Sequence, residues 1–249
     1  MKTTPACFLV PCVLVGVVLG FLPRPVLAQY FTDNFESYAV GGSVAPNWTP
    51  YYNGAAVVGP ATVSGSSGNI LQISSQTNWA GYAFRAVSFA QEFRLEVDIF
   101  STNGNGPIID LWHGPGDSSP YYRMLTLLNG NFYQGDASKQ QIGAPMTWTT
   151  GTWHHVAINY ARASSAQSAT LTYYFDGQLL GQVTTPGTTP WDTSTHYLAL
   201  ANNFSGTTYF DNVSITAIPE PAVGAGLAGV AVALAALWRR RRRDVVRAP

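Results

Sequence analysis

Phe93-Arg94-Leu95-Glu96-Val97-Asp98-Ile99 alternates apolar and charged residues without a break. Successive side chains of an extended chain point to opposite faces, so the stretch buries Phe93, Leu95, Val97 and Ile99 and wets Arg94, Glu96 and Asp98. That spacing predicts a half-buried antiparallel strand. Runs at 70–74, 82–87, 122–128, 153–160 and 209–215 have the same character. Between 171 and 183 two further runs flank Asp176-Gly177, a pair that tolerates the positive φ angles of a type I′ hairpin turn. Segments rich in Gly, Asn, Pro and Ser at 101–107, 114–120 and 184–193 are predicted loops. No helical periodicity runs between Gln29 and Ile218. Many short strands without helices predict an all-β fold, a two-sheet antiparallel jelly-roll sandwich.

The ends of the chain have a different composition. Lys2, an apolar run over 6–22 and Val26-Leu27-Ala28 have the form of a secretory signal peptide over 1–28, so the mature chain is expected to begin near Gln29. At the other end stand Pro219-Glu220-Pro221, an uncharged run over 222–238, the cluster Arg239, Arg240, Arg241, Arg242 and Arg243, and a short tail over 244–249. Seventeen helical residues would extend roughly 26 Å, close to the thickness of a bilayer core. Arginines are retained on the cytoplasmic side, which predicts export of residues 29–218. Both cysteines, Cys7 and Cys12, lie in the leader, so no disulfide is expected in the mature domain.

Charge follows the same division. Thirteen basic and thirteen acidic residues balance overall, yet 29–218 holds five basic residues against eleven acidic ones, a net charge of −6. An acidic domain is a poor partner for nucleic acid or anionic lipid.

Two resemblances follow from these residues. The order Pro-Glu-Pro, membrane-length run, arginine cluster resembles the PEP-CTERM sorting signal of Gram-negative bacteria that make exopolysaccharide. That resemblance implies an inner-membrane-anchored precursor, recognition of 219–243 by an exosortase, and a mature form at the cell surface or in the extracellular matrix. The stretch Trp153-His154-His155-Val156-Ala157-Ile158-Asn159-Tyr160, followed by the Asp176-Gly177 hairpin, is similar to the core of laminin-G and concanavalin A-like domains. Phe31-Thr32-Asp33-Asn34-Phe35-Glu36-Ser37-Tyr38 and Tyr209-Phe210-Asp211-Asn212-Val213-Ser214-Ile215 extend the likeness, because first and last strands pair in such sandwiches.

Candidate sites divide by chemistry. Glu96 and Asp98 share a strand face, the arrangement that resembles retaining glucanases of the laminarinase type. Those enzymes carry a further acid/base glutamate along the same face, where this chain has Phe100 and Ser101. A polar outer face beside Arg94 is the expected role, with a glucanase-like hydrolase using Glu96 and Asp98 as the alternative. His154 and His155, adjacent on a strand, face opposite ways and cannot share a metal, and His113 and His196 are expected to be satisfied or solvent-facing. Asp33, Glu36 and Asp211 come near one another if the terminal strands pair. They would either hold a structural Ca²⁺ or cap strand ends. Aromatic residues could stack on sugar rings, with Trp112, Tyr121, Asp110 and Asp117 as the preferred ligand-binding group around the 114–120 loop. The resulting expectation is an exported, non-catalytic sandwich that binds polysaccharide, or else a structural or protein-adhesive surface domain.

Overall fold

The Phe93 strand lies in the middle of a sheet. In chain order the strands are β1 (Gln29–Asp33), β2 (Thr49–Tyr51), β3 (Ala55–Val58), β4 (Ile70–Ser75), β5 (Gly81–Val87), β6 (Phe93–Ser101), β7 (Pro107–Trp112) and β8 (Tyr121–Leu128). They continue with β9 (Asn131–Gln134), β10 (Gln140–Gln141), β11 (Trp153–Arg162), β12 (Ala169–Phe175), β13 (Gln178–Thr184), β14 (His196–Asn202) and β15 (Gly206–Ala217). The computed structural model describes residues 29–51, 54–75, 81–88, 92–115, 121–135, 139–162, 168–185, 196–202 and 206–218. The expected leader and sorting tail lie outside the described residues.

Sheet A has the order β13-β12-β11-β6-β15-β4-β3, with β1 also paired to β15; sheet B has the order β10-β9-β8-β7-β14-β5-β2. All pairs are antiparallel, and each sheet joins strands that are distant in sequence. Each run predicted as a strand is one, and the two terminal strands pair as expected.

Alternation along β6 supplies the core. Phe93, Leu95, Val97 and Ile99 are buried and meet Ile109, Leu111, Leu125, Leu198 and Leu200 from sheet B in one continuous cluster. The hairpin between β12 and β13 turns at Asp176 and Gly177 with φ of 48° and 78°, as a type I′ turn requires. Its aspartate reaches back: Asp176 accepts the His155 N–H at 2.9 Å and lies 2.9 Å from His154 Nδ1. His154 packs between Trp148 and Phe175 at centroid distances of 4.4 and 4.8 Å. The Trp-His and Asp-Gly pieces of the sequence are thus one clamp, which ties β11 to its neighbouring hairpin.

Candidate functional site

Side chains on the outer face of sheet B form three cross-strand rows. The first runs Tyr51, Tyr82, Ala201, Ile108, Thr126 and Tyr133; the second Thr49, Phe84, Ala199, Asp110 and Arg123; the third Ala86, Tyr197, Trp112 and Tyr121. Alanine at 199 and 201 in the middle strand lets rings from both sides close over it. Phe84 and Trp112 meet edge to face at 5.3 Å, Tyr82 stacks on Phe84 at 5.4 Å, and Tyr121 stacks on Trp112 at 4.5 Å. Phe84 and Trp112 are buried, while Tyr51, Tyr82, Tyr121 and Tyr197 remain half-exposed around them. The face is a floor of buried rings with a tyrosine rim.

A bulge aims half of this face. Ile109 pairs with Leu125 but Asp110 pairs with Arg123, leaving Met124 as an extra residue in β8. With Leu125 and Leu127 pointing into the core, unbroken alternation would send Arg123 inward too; the extra residue turns it outward. Arg123 then forms a two-pronged ion pair with Asp110, Nε to Oδ1 at 3.1 Å and Nη2 to Oδ2 at 3.2 Å. The pair is covered, with side-chain exposures of 8% and 0%. From across the core the Tyr173 hydroxyl donates to the Met124 carbonyl at 2.7 Å, anchoring the bulge to sheet A. Burial, and then the nearby Tyr122, hold that hydroxyl well above the usual phenol range.

Sequence reasoning located part of this. Asp110, Trp112 and Tyr121 do come together, and Asp117 lies outside the described residues. Trp112 is the last residue of β7, directly before the loop, but at 4% exposure it underlies the face and is not its surface. The rim residues Tyr51 and Tyr197, the Asp110–Arg123 pairing and the bulge were missed, because each depends on register between distant strands.

Glu96 and Asp98 share the outer face of sheet A, as their spacing predicts. Glu96 accepts from Arg94 Nε at 2.8 Å, while Asp98 lies 2.7 Å from His155 Nδ1 and accepts from the Asn212 amide at 2.8 Å. The next outward position, Phe100, packs on Trp153 and Tyr209. An apolar cluster stands where a third carboxylate would be needed.

Asp33 is an internal node. It accepts hydrogen bonds from the Phe35 N–H, the Tyr38 hydroxyl, the Trp48 indole and the Arg85 guanidinium at 3.0, 2.8, 2.8 and 2.8 Å. Glu36 accepts the Asn69 N–H at 2.9 Å and Asp211 the Asn212 N–H at 2.7 Å. Among the described residues no group of three or more His, Cys, Asp or Glu side chains could hold a metal ion. The expected Asp33, Glu36 and Asp211 calcium set does not fit this arrangement, because Asp33 has its oxygens occupied by donors. Burial pushes Asp211 up to about 6, with the charges of Asp98, Glu36 and Asp33 adding to it and the Asn212 N–H opposing. His113 and His196, expected to be satisfied or solvent-facing, face each other at 5.4 Å, with His113 Nε2 buried and lacking a hydrogen-bond partner.

The sequence profile of the concanavalin A-like lectin/glucanases superfamily matches residues 55–213. No curated protein sequence matches the chain. Solved structures of similar fold include the carbohydrate esterase vb_24B_21 from the Shiga toxin-encoding bacteriophage phi24B, with a TM-score of 0.55, 13% identity and coverage of 78% of this chain and 100% of that one. A variant of alginate lyase Aly36B in complex with an alginate trisaccharide gives a TM-score of 0.53 at 14% identity, covering 78% of this chain and 100% of that one. The Emp47p carbohydrate recognition domain gives 0.51 at 12% identity, covering 77% and 96%. The expectation of a non-catalytic domain is therefore corrected, since an esterase and a lyase share this architecture with a recognition domain and the fold gives no ground for excluding catalysis. With two antiparallel sheets packed as a sandwich and a profile match over most of that sandwich, the chain belongs to the concanavalin A-like lectin/glucanase superfamily.

Proposed function

We propose that this protein is an exported, carbohydrate-engaging domain whose glycan contact is the outer face of sheet B. The observation that carries this reading is the tyrosine-rimmed aromatic face, in which the indole Nε1 of Trp112 and the hydroxyl of Thr126 are buried without a hydrogen-bond partner. Native folds leave few such groups unpaired; they lie beneath the half-exposed rings of Tyr51, Tyr82, Tyr121 and Tyr197, which would take the apolar C–H faces of a pyranose. The membership of a superfamily that contains lectins and glucanases supports the same chemistry.

Export and sorting belong to the proposal through the sequence alone. The leader over 1–28 and the Pro219-Glu220-Pro221, 222–238, Arg239 to Arg243 order support secretion, transient anchoring in the inner membrane, and processing by an exosortase at the cell surface or matrix. The binding half is tested by affinity electrophoresis of the full chain, kept in detergent, through gels containing a panel of polysaccharides, with product release measured in parallel. Retardation by at least one glycan, reduced about tenfold in Tyr82→Ala and Tyr121→Ala proteins that melt within a few degrees of the parent, is the expected result. Retardation unchanged in both variants would remove this face from the function. The sorting half is tested by the mass of the mature C-terminus in cells with and without the exosortase.

A further inference from the structure

The charge state of the aromatic face carries the reading a step further, and this step rests on that face being the glycan site. Its described cation, Arg123, is consumed: both prongs of the guanidinium are on Asp110, and neither side chain is more than 8% exposed. The other described cations stand elsewhere. Arg85 bonds Asp33, Arg94 bonds Glu96 on sheet A, Arg162 ends β11, and Lys139 is exposed before β10 at the sheet edge. Everything else in the three rows is aromatic, aliphatic or hydroxylated. Around this face the segment 29–218 carries a net charge of −6.

We infer that the outer face of sheet B selects neutral sugar rings over uronates, because Asp110 already neutralises the arginine that a carboxylated sugar would need. A polyuronate brings one negative charge per ring to an acidic domain and finds no uncommitted guanidinium among the described residues of the face. Recruiting Arg123 would strand Asp110, a fully buried carboxylate, and breaking a buried pair costs more than one new surface contact returns. The arginine thus serves to shape the floor, flattening Tyr121 with its guanidinium 5.3 Å from the ring centre, and not to read charge.

Three probes separate the possibilities on the full chain in detergent: a neutral β-glucan, alginate, and alginate whose carboxyl groups have been reduced to alcohols. The expected result is retention by the glucan or the reduced alginate at least tenfold stronger than by native alginate at low salt, with the gap narrowing as salt screens the repulsion. Asp110→Asn, which frees a positive charge, should shift the ratio toward native alginate; if that variant does not fold, the paired native and reduced alginates still decide. Native alginate bound as well as or better than its reduced form overturns the neutral-ring inference and leaves the carbohydrate reading standing. Failure of every polysaccharide in the wider panel to bind overturns both.

Discussion

Asp33 shows how one side chain can hold a domain's end together. Four donors converge on it, and the guanidinium of Arg85 also lies 4.7 Å from the Phe31 ring centre and 5.8 Å from that of Trp48. Asp33→Ala would leave an indole, a phenol and a half-covered cation without their acceptor, a loss of about 3 kcal/mol. For a domain of this size that lowers the melting temperature by about 10 °C, and a fall under about 3 °C in a thermal scan would refute the node. Asp211 works in the opposite sense. Its folded pKa is raised from 3.8 to about 6, so between those values the folded state holds a proton that the unfolded state has released, and stability falls as pH rises through the window. Asp211→Asn should therefore flatten the loss between about pH 4 and pH 6 and stabilise the neutral-pH protein by on the order of 1 kcal/mol after allowance for solvent screening. The comparison is made by denaturant unfolding in chelator, so that no cation neutralises the neighbouring carboxylates.

At the scale of elements, the sequence displays strands with one wet face and conceals those with none. Strand β6 was legible because its outer face is Arg94, Glu96 and Asp98. Strands β7 and β14 are buried on both sides, the inner by the core and the outer by the aromatic floor, so their side chains do not alternate in polarity. The same burial explains the missed site, since the alanines of β14 acquire meaning only when Phe84 and Trp112 are known to flank them. The bulge at Met124 was illegible too, because it is defined by register with β7. It has a testable handle in Tyr173→Phe, which removes only a hydroxyl. The unpaired Met124 carbonyl should cost roughly 1–3 kcal/mol, and glycan retention should weaken with Tyr121 and Arg123 no longer held in aim, although Tyr173 lies in the other sheet. Unchanged retention would show that the bulge holds its shape unaided. The Asp176-Gly177 turn, fully legible, gives a ranked pair. Gly177→Ala meets no atom within 4 Å and so costs only the strain of φ 78°, about 1 kcal/mol. Asp176→Ala loses the bonds to His154 and His155 as well and should cost more in the same unfolding assay.

For the whole molecule, the order of strands ties the first strand of the sandwich to the last to be made. β15 lies between β6 and β4 in sheet A, and β1 pairs with its second half, from Gln29 opposite Thr216 to Asp33 opposite Val213. The turn that follows sends Phe35 and Tyr38 into the core beside Trp48. The expected cleavage after Ala28 falls directly before Gln29, the first residue of β1, so any deeper trimming would cut into that strand. A chain beginning at Gly41 lacks β1, Phe35, Tyr38 and the Asp33 node together, a loss of several kcal/mol in burial alone set against a total stability of roughly 5–15 kcal/mol. It should show no cooperative thermal transition by circular dichroism, whereas a chain beginning at Gln29 and ending at Ile218 should unfold in one step. If the Gly41 chain melts cooperatively, the terminal strand is an accessory, and pairing of the first and last strands does not close the sandwich.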